Sequence, residues 1–147
     1  MKKKHKLLTQ NSIPSTAQIA TRDFPASAFV CYGCHLLLNF SQCQVDLNNL
    51  EQIKHDLMVA VDAVGATIVA HLSHRFTPQG VSVILMLSES HASVHTYPEH
   101  GSCFLDIFTC GSNLQVEKFG EVLQRLWLPQ RVSRQLIERF EPIESPL

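Results

Sequence analysis

Hydrophobic residues follow two patterns along the chain, a regular helical spacing and short apolar runs, and each pattern predicts a type of secondary structure. Between Leu50 and Val64 they recur every three or four residues, which gives one apolar face of a helix. Asn48 or Asn49 can cap its start, and Gly65 stands where a helix commonly ends. The same spacing predicts a second helix, capped by Asn113 and ending before Pro129, whose inner face is Val116, Phe119, Val122, Leu123 and Leu126.

Short apolar runs with strand character lie before, between and after these helices. They predict an antiparallel sheet, because sequential strands are joined by short loops, with His71–Gly80 forming one such loop. The element order β-α-β-β-β-α-β predicts an α+β fold, a two-layer sandwich with both helices on one face of the sheet. The other face of the sheet is left uncovered, which makes a homodimer a reasonable expectation. The predicted strands are Ala28–Phe40, Ala66–Ala70, Val81–Leu87, Cys103–Phe108 and the edge strand Arg131–Phe140.

Composition narrows the class of protein. The chain of 147 residues is 45% hydrophobic and 17% charged, which suits one globular domain over 28–147. Residues 1–27 are polar and are predicted to be a mobile tail. The net charge of −1 argues against nucleic-acid or anionic membrane partners, and no apolar run approaches the ~20 residues of a membrane span.

The compartment follows from the N-terminus and the cysteines. The basic start resembles the beginning of a signal peptide, but the polar residues 9–12 interrupt any hydrophobic region. Five cysteines, an odd number, fit free thiols and a cytoplasmic location. Cys31 and Cys34 form a C-x-x-C without a second pair, and Cys43 and Cys103 are interpreted as small packed side chains.

The chain concentrates its polar chemistry in 87–100, between two predicted strands. Three histidines, two glutamates and three serines lie there. A zinc site from His91, His95, Glu99 and His100 is disfavoured, because an extended chain separates the first two by about 13 Å. The chain lacks the Gly-x-Ser-x-Gly turn that a serine hydrolase uses to present its nucleophile. Self-cleavage at Ser90 needs only a strained turn, an oxyanion donor and a base, and residue types alone do not choose among the three.

Six short motifs stand out along the chain: Gly65–Thr67, His74–Phe76, Gly80–Ser82, Leu87–His91, His95–Gly101 and Asp106–Gly111. Together they resemble one family, the prokaryotic S-adenosylmethionine decarboxylase proenzymes. The resemblance implies cleavage after Glu89, giving a β chain 1–89 and an α chain 90–147. Ser90 becomes a pyruvoyl group that forms a Schiff base with the substrate amine, without metal or pyridoxal phosphate. The implied reaction is decarboxylation of S-adenosylmethionine, and its amine product is the aminopropyl donor of spermidine synthesis. Such enzymes are dimers of cleaved protomers with sites near the interface.

The resemblance also implies roles for individual side chains. Ser82 supports the oxyanion-like intermediate of processing, and His95 is the base of the elimination step. Cys110 reprotonates the substrate carbon after CO2 leaves. The substrate-binding residues it implies are Glu99 for the ribose hydroxyls and Phe76 and Tyr97 for the adenine.

Two positions depart from the family pattern. Val83 follows Gly-Val-Ser where glycine is common, and Tyr97 stands where tryptophan is common. The alternatives are a pyruvoyl-dependent decarboxylase of arginine or ornithine and an unprocessed, non-catalytic homologue. Glu99, Phe76 and Tyr97 favour a nucleoside substrate, because a plain amino acid has no adenine to stack and no ribose to bind.

Overall fold

The computed structural model describes residues 29–110 and 114–142, and the side chains of residues 32–110 and 114–140. Its elements, in chain order, are β1 (Phe29–Ser41), α1 (Leu50–Val64), β2 (Ile68–Arg75), β3 (Val81–Leu87), β4 (Ser90–Tyr97), a 3₁₀ turn (Pro98–His100), β5 (Ser102–Thr109), α2 (Glu117–Trp127) and β6 (Arg131–Pro142).

The six strands form one antiparallel sheet in the order β2-β3-β4-β5-β1-β6. Both helices pack on one face, so the α+β two-layer sandwich is confirmed. β6 lies at an edge, as predicted. Neither helix in the described ranges is long and apolar enough to cross a membrane.

Helix α1 forms where the hydrophobic spacing predicts it. The Asn49 side chain accepts a hydrogen bond from the Gln52 N–H at 3.2 Å, which satisfies one of the free donors of the first turn. Gly65 ends the helix in the left-handed conformation at φ 88°, and its N–H bonds the Asp62 carbonyl. The two caps fix the point at which the chain enters β2.

The core lies between the helices and alternate positions of the central strands. Within it, the Trp127 Nε1–H donates to Asp56 Oδ2 at 2.8 Å, and Gln52 donates to the other carboxylate oxygen at 2.7 Å. The buried carboxylate of Asp56 is therefore hydrogen-bonded on both oxygens. The side chains that fill this layer include Leu36, Leu38, Phe40, Ile53, Leu57, Val83, Leu85, Val94, Ile107, Phe119 and Leu123.

The polar segment after β3 is itself a strand, and the prediction of an insert between two strands was wrong. In β4 the residues Ala92, Val94 and Thr96 are buried against the helical layer, and the polar residues between them point to the other face. This alternation has the two-residue period of a strand. The sheet therefore has six strands where the sequence predicted five.

Two further boundaries differ from the predictions. β2 extends to Arg75 through the first half of the predicted loop, and it is an exposed edge strand. Leu126 is 45% exposed, and Trp127 occupies the inner face of α2 in its place. The predicted cap Asn113 and the predicted tail 1–27 lie outside the described residues.

The sheet face opposite the helices is called the open face here. Neighbouring strands place several large apolar side chains on it: Leu72, Ile84, Met86 and Phe104 are 71%, 44%, 58% and 51% exposed. The polar residues of β4 and β5, including His91, Ser93, His95 and Asp106, share this face.

Candidate active site

The predicted cleavage point lies in the tight turn between β3 and β4. Ser88 and Glu89 form the turn, and β4 begins at Ser90. The Ser88 N–H bonds the Thr67 carbonyl at 2.9 Å, and the Glu89 carboxylate accepts from the Thr67 N–H at 3.0 Å. Ser90 has φ 150°, a conformation that residues with a side chain rarely adopt. The backbone at Ser90 is therefore strained, and hydrogen bonds to Thr67 hold the turn before it.

The carbonyl of that peptide bond is itself a hydrogen-bond acceptor. The Cys110 backbone N–H donates to the Glu89 carbonyl oxygen at 3.0 Å, because Ser90 and Thr109 are paired across β4 and β5. A donor in this position stabilises negative charge on the oxygen if the carbonyl is attacked. The exposed Cys110 residue thus lies directly beside the predicted cleavage point.

A second group of predicted residues lies at the other end of β3 and β4. Ser82 and His95 are paired across the strands, with 2.5 Å between Ser82 Oγ and His95 Nδ1. Together with Phe76, Tyr97 and Glu99 they line a cavity of about 300 Å³. This volume is at the lower end of the range for small-molecule sites.

Two features shape this cavity. Glu99 accepts a hydrogen bond from Gln79 at 3.1 Å, so its carboxylate is held at the rim. Gly80 has φ 97°, and a side chain there would place its Cβ 3.1 Å from the Thr96 carbonyl oxygen. The glycine therefore lets the chain between β2 and β3 close on β4 and brings Phe76 to the cavity.

The two groups are far apart within one chain. Ser90 pairs with Leu87 and His95 pairs with Ser82, so five residues of β4 separate the cleavage point from the Ser82–His95 pair. At ~3.3 Å per residue this is about 16 Å, far beyond the reach of proton transfer. The structure brings the predicted site residues together as two clusters.

Comparison with known proteins assigns the fold and these motifs to a family. The family model described as S-adenosylmethionine decarboxylase matches residues 34–140. The chain belongs to the S-adenosylmethionine decarboxylase family.

Individual relatives agree with this assignment. The S-adenosylmethionine decarboxylase proenzyme of Thermotoga petrophila is 40% identical over 101 residues, covering 68% of this chain and 78% of the relative. The proenzyme of Methanococcus maripaludis is 36% identical over 108 residues, covering 73% and 88%. The crystal structure of the adenosylmethionine decarboxylase from Aquifex aeolicus VF5 is similar with a TM-score of 0.68 and 28% identity, covering 80% of this chain and 97% of that one.

The sequence predictions missed a third cluster in this decarboxylase, on the open face beside Ser90. Asp106 Oδ2 lies 3.0 Å from His35 Nε2 and 3.3 Å from His91 Nε2, and Asp106 Oδ1 accepts from the Ser93 hydroxyl. The signal available in the sequence was Asp106, a charged residue within an otherwise apolar strand.

His35, His91 and Asp106 also form a candidate metal site, which differs from the zinc site considered from the sequence. One ligand atom each from His35, His91 and Asp106 lies within 4.8 Å of the others. The structure separates His91 from His95 along β4, as an extended chain requires.

The remaining described cysteines fit the interpretation as packed thiols. Contact with the Cys43 thiol, together with burial, raises the pKa of Cys103. Burial likewise raises the pKa of Cys34. Both therefore stay protonated at neutral pH, which makes them poor nucleophiles. The side chain of Cys31 lies outside the described residues.

Proposed function

We propose that this decarboxylase is a proenzyme that cleaves itself between Glu89 and Ser90. The resulting β chain 1–89 and α chain 90–147 then convert S-adenosylmethionine to S-adenosylmethioninamine and CO2. The amine product is the aminopropyl donor for spermidine synthesis. One observation carries the proposal: Ser90 begins β4 in a strained turn, and the carbonyl before it accepts a hydrogen bond from the Cys110 N–H.

The cleavage chemistry follows from this geometry. The Ser90 hydroxyl attacks the Glu89 carbonyl carbon, and the negative charge that develops on the carbonyl oxygen is stabilised by the Cys110 N–H. The bond between that carbon and the Ser90 nitrogen breaks, which gives an ester and a free amine on Ser90. A base removes the Ser90 α-proton, and the new C-terminal carboxylate of Glu89 leaves. The enamine that remains at residue 90 tautomerises to an imine, and its hydrolysis releases ammonia and leaves a ketone.

The group formed at residue 90 fits its surroundings. A pyruvoyl group supplies an acceptor for the electron pair released when the substrate carboxylate departs as CO2. Cys110 is adjacent and exposed, so its thiol is available to deliver a proton to the substrate carbon. In this proposal the Cys110 residue acts twice, first through its backbone N–H and then through its side chain.

The cavity supports a nucleoside substrate. Phe76 and Tyr97 present aromatic rings that are 47% and 39% exposed, so both are accessible to an adenine. Glu99 offers carboxylate oxygens that accept from two ribose hydroxyls. Arginine and ornithine have neither an adenine nor a ribose, and these three side chains would have no partner on such substrates.

The proposed enzyme is a homodimer whose open faces meet. Ser90 and His95 are five positions apart along β4, so one chain cannot bring the elimination base to its own Ser90. In a two-fold dimer every contact occurs twice, and the Ser82–His95 pair of each copy then reaches the Ser90 of the other. The exposed apolar side chains of the open face supply the driving force for this contact.

Intact mass measured under denaturing conditions tests the proposal. The purified protein should give two fragments split between Glu89 and Ser90, with no free amine on the C-terminal fragment. A Ser90→Ala chain should remain whole and inactive. A wild-type chain that stays whole after prolonged incubation, or a Ser90→Ala protein that decarboxylates S-adenosylmethionine, contradicts the proposal. Competition with arginine and ornithine then checks the substrate.

A further inference from the structure

We infer that His91 is the base for the first step of cleavage, and that Asp106 positions it. The inference rests on the proposed self-cleavage and divides its two proton transfers between two histidines. His91 takes the proton of the Ser90 hydroxyl, whereas His95 is the proposed base for the later elimination.

A line of close polar contacts leads from the serine to the carboxylate. Ser90 Oγ lies 3.2 Å from His91 Nδ1, and His91 Nε2 lies 3.3 Å from Asp106 Oδ2. A carboxylate on the Nε2 side favours the tautomer that carries its proton there, which leaves Nδ1 free to accept from the hydroxyl. This is the order of groups that activates a serine in hydrolytic triads.

The carboxylate is fixed by more than His91. Asp106 also contacts His35 Nε2 at 3.0 Å and accepts from Ser93, and its side chain is 21% exposed. A carboxylate held on both oxygens stabilises the positive charge that His91 gains without having to reorganise.

The ring of Phe108 supports the imidazole from the side. Its centroid lies 6.0 Å from that of His91 and 5.5 Å from that of His35. The neighbouring strand makes room for this ring at Gly33, where an added Cβ would lie 2.5 Å from the Phe108 side chain. The sheet is therefore built to place a ring against the proposed base.

The step balances without a further reactant. The Ser90 hydroxyl proton moves to His91 Nδ1 as the bond between Oγ and the Glu89 carbonyl carbon forms. The Cys110 N–H holds the negative oxygen. The bond between that carbon and the Ser90 nitrogen then breaks, and His91 returns the proton to the nitrogen. The products are an ester and a free amine, and the Asp106 carboxylate stays ionised throughout.

Hydroxylamine separates this step from the next one. It splits esters but leaves amides intact, so the rate of fragmentation in hydroxylamine reports formation of the ester. His95→Ala should fragment in hydroxylamine, because its block follows the ester. His91→Ala should fragment about 100-fold more slowly, the size of effect that removal of a general base commonly produces. The double variant should behave as His91→Ala does.

Controls distinguish a base from a structural or metal-binding residue. Added imidazole should restore ester formation to His91→Ala, since the His91 side chain is 43% exposed and its loss leaves an accessible space. His55→Ala, which removes an exposed histidine of α1, should cleave at the wild-type rate. His35→Ala should cleave clearly faster than His91→Ala, and EDTA should have no effect on the wild type.

Asp106 requires its own readout because it acts through His91. Asp106→Asn retains the shape and one acceptor but not the charge, and it should slow ester formation by about tenfold or more. Asp106→Glu should recover part of the rate. Equal rates for Asp106→Asn and wild type would show that the carboxylate only packs, and would overturn its role.

The outcomes also distinguish failure of this inference from failure of the proposed function on which it rests. If wild-type protein cleaves and His91→Ala cleaves equally fast, or accumulates the ester as His95→Ala does, the inference is wrong and the proposed function stands. Inhibition by EDTA, with equal losses in His35→Ala and His91→Ala, would overturn it in favour of a metal site. If the wild type fails to cleave under any condition, the proposed function itself fails.

Discussion

Two inactive variants should restore cleavage to each other when they are expressed together. Ser90→Ala removes the residue that is cleaved, and His95→Ala removes the proposed elimination base. If each site takes Ser90 from one copy and His95 from the other, a mixed dimer contains one intact site. That site joins the Ser90 of the His95→Ala chain to the His95 of the Ser90→Ala chain.

The geometry sets the size of the effect. Ser90 and His95 are five positions apart along β4, about 16 Å within a chain, whereas proton transfer needs ~3 Å. Cleavage within one chain therefore contributes nothing measurable. With equal expression and random pairing, about half of the His95→Ala chains lie in mixed dimers, and up to about half should be cleaved. The Ser90→Ala chains should remain whole.

Intact mass under denaturing conditions measures this outcome, because a short tag on one variant separates the two chains by mass. Each variant expressed alone is the control and should give no pyruvoyl-bearing fragment. If the co-expressed His95→Ala chains stay whole although mixed dimers are present by native mass spectrometry, the placement of Ser82 and His95 in the partner's site is refuted. Cleavage of His95→Ala alone would instead remove His95 from the elimination step.

Three further outcomes are expected. Cys110→Ala should cleave at nearly the wild-type rate, because the backbone N–H remains, but its turnover of S-adenosylmethionine should fall about 100-fold or more; unchanged turnover would exclude the thiol as the proton donor. Glu99→Gln should raise KM about tenfold or more and leave self-cleavage unchanged, as measured by steady-state kinetics and intact mass. Trp127→Phe should lower the free energy of unfolding in urea by about 1–3 kcal/mol, because Asp56 loses a buried donor; an unchanged midpoint would contradict that account.

The sequence predicted most of the fold because its local signals agree with the tertiary contacts. The spacing of apolar residues from Leu50 to Val64 gives α1, and Asn49 and Gly65 cap it as expected. β4 was missed because polar residues dominate its composition. Its alternation of Ala92, Val94 and Thr96 with polar neighbours is the stronger signal, since only alternate positions of a strand need to be buried.

The sequence predicts candidate site residues one by one, but it does not predict how they are arranged. The pairing of Ser82 with His95 depends on the register of β3 and β4, and the two-residue turn at Ser88 and Glu89 sets that register. The same register places Ser90 at the opposite end. The Asp106 cluster depends on three strands that are distant in sequence, and no local pattern reports which side chains meet across a sheet.

The two proposed steps of processing require different numbers of chains: ester formation requires one chain, and elimination requires two. The groups for ester formation lie in the same chain as Ser90: His91 for the hydroxyl proton, Asp106 behind it and the Cys110 N–H on the carbonyl oxygen. The proposed elimination base lies beyond reach until a second copy binds. Acyl shift between amide and ester is reversible, whereas elimination is not. In the proposed homodimer, the irreversible step therefore waits for the same contact that brings the cavity beside His95 to Ser90.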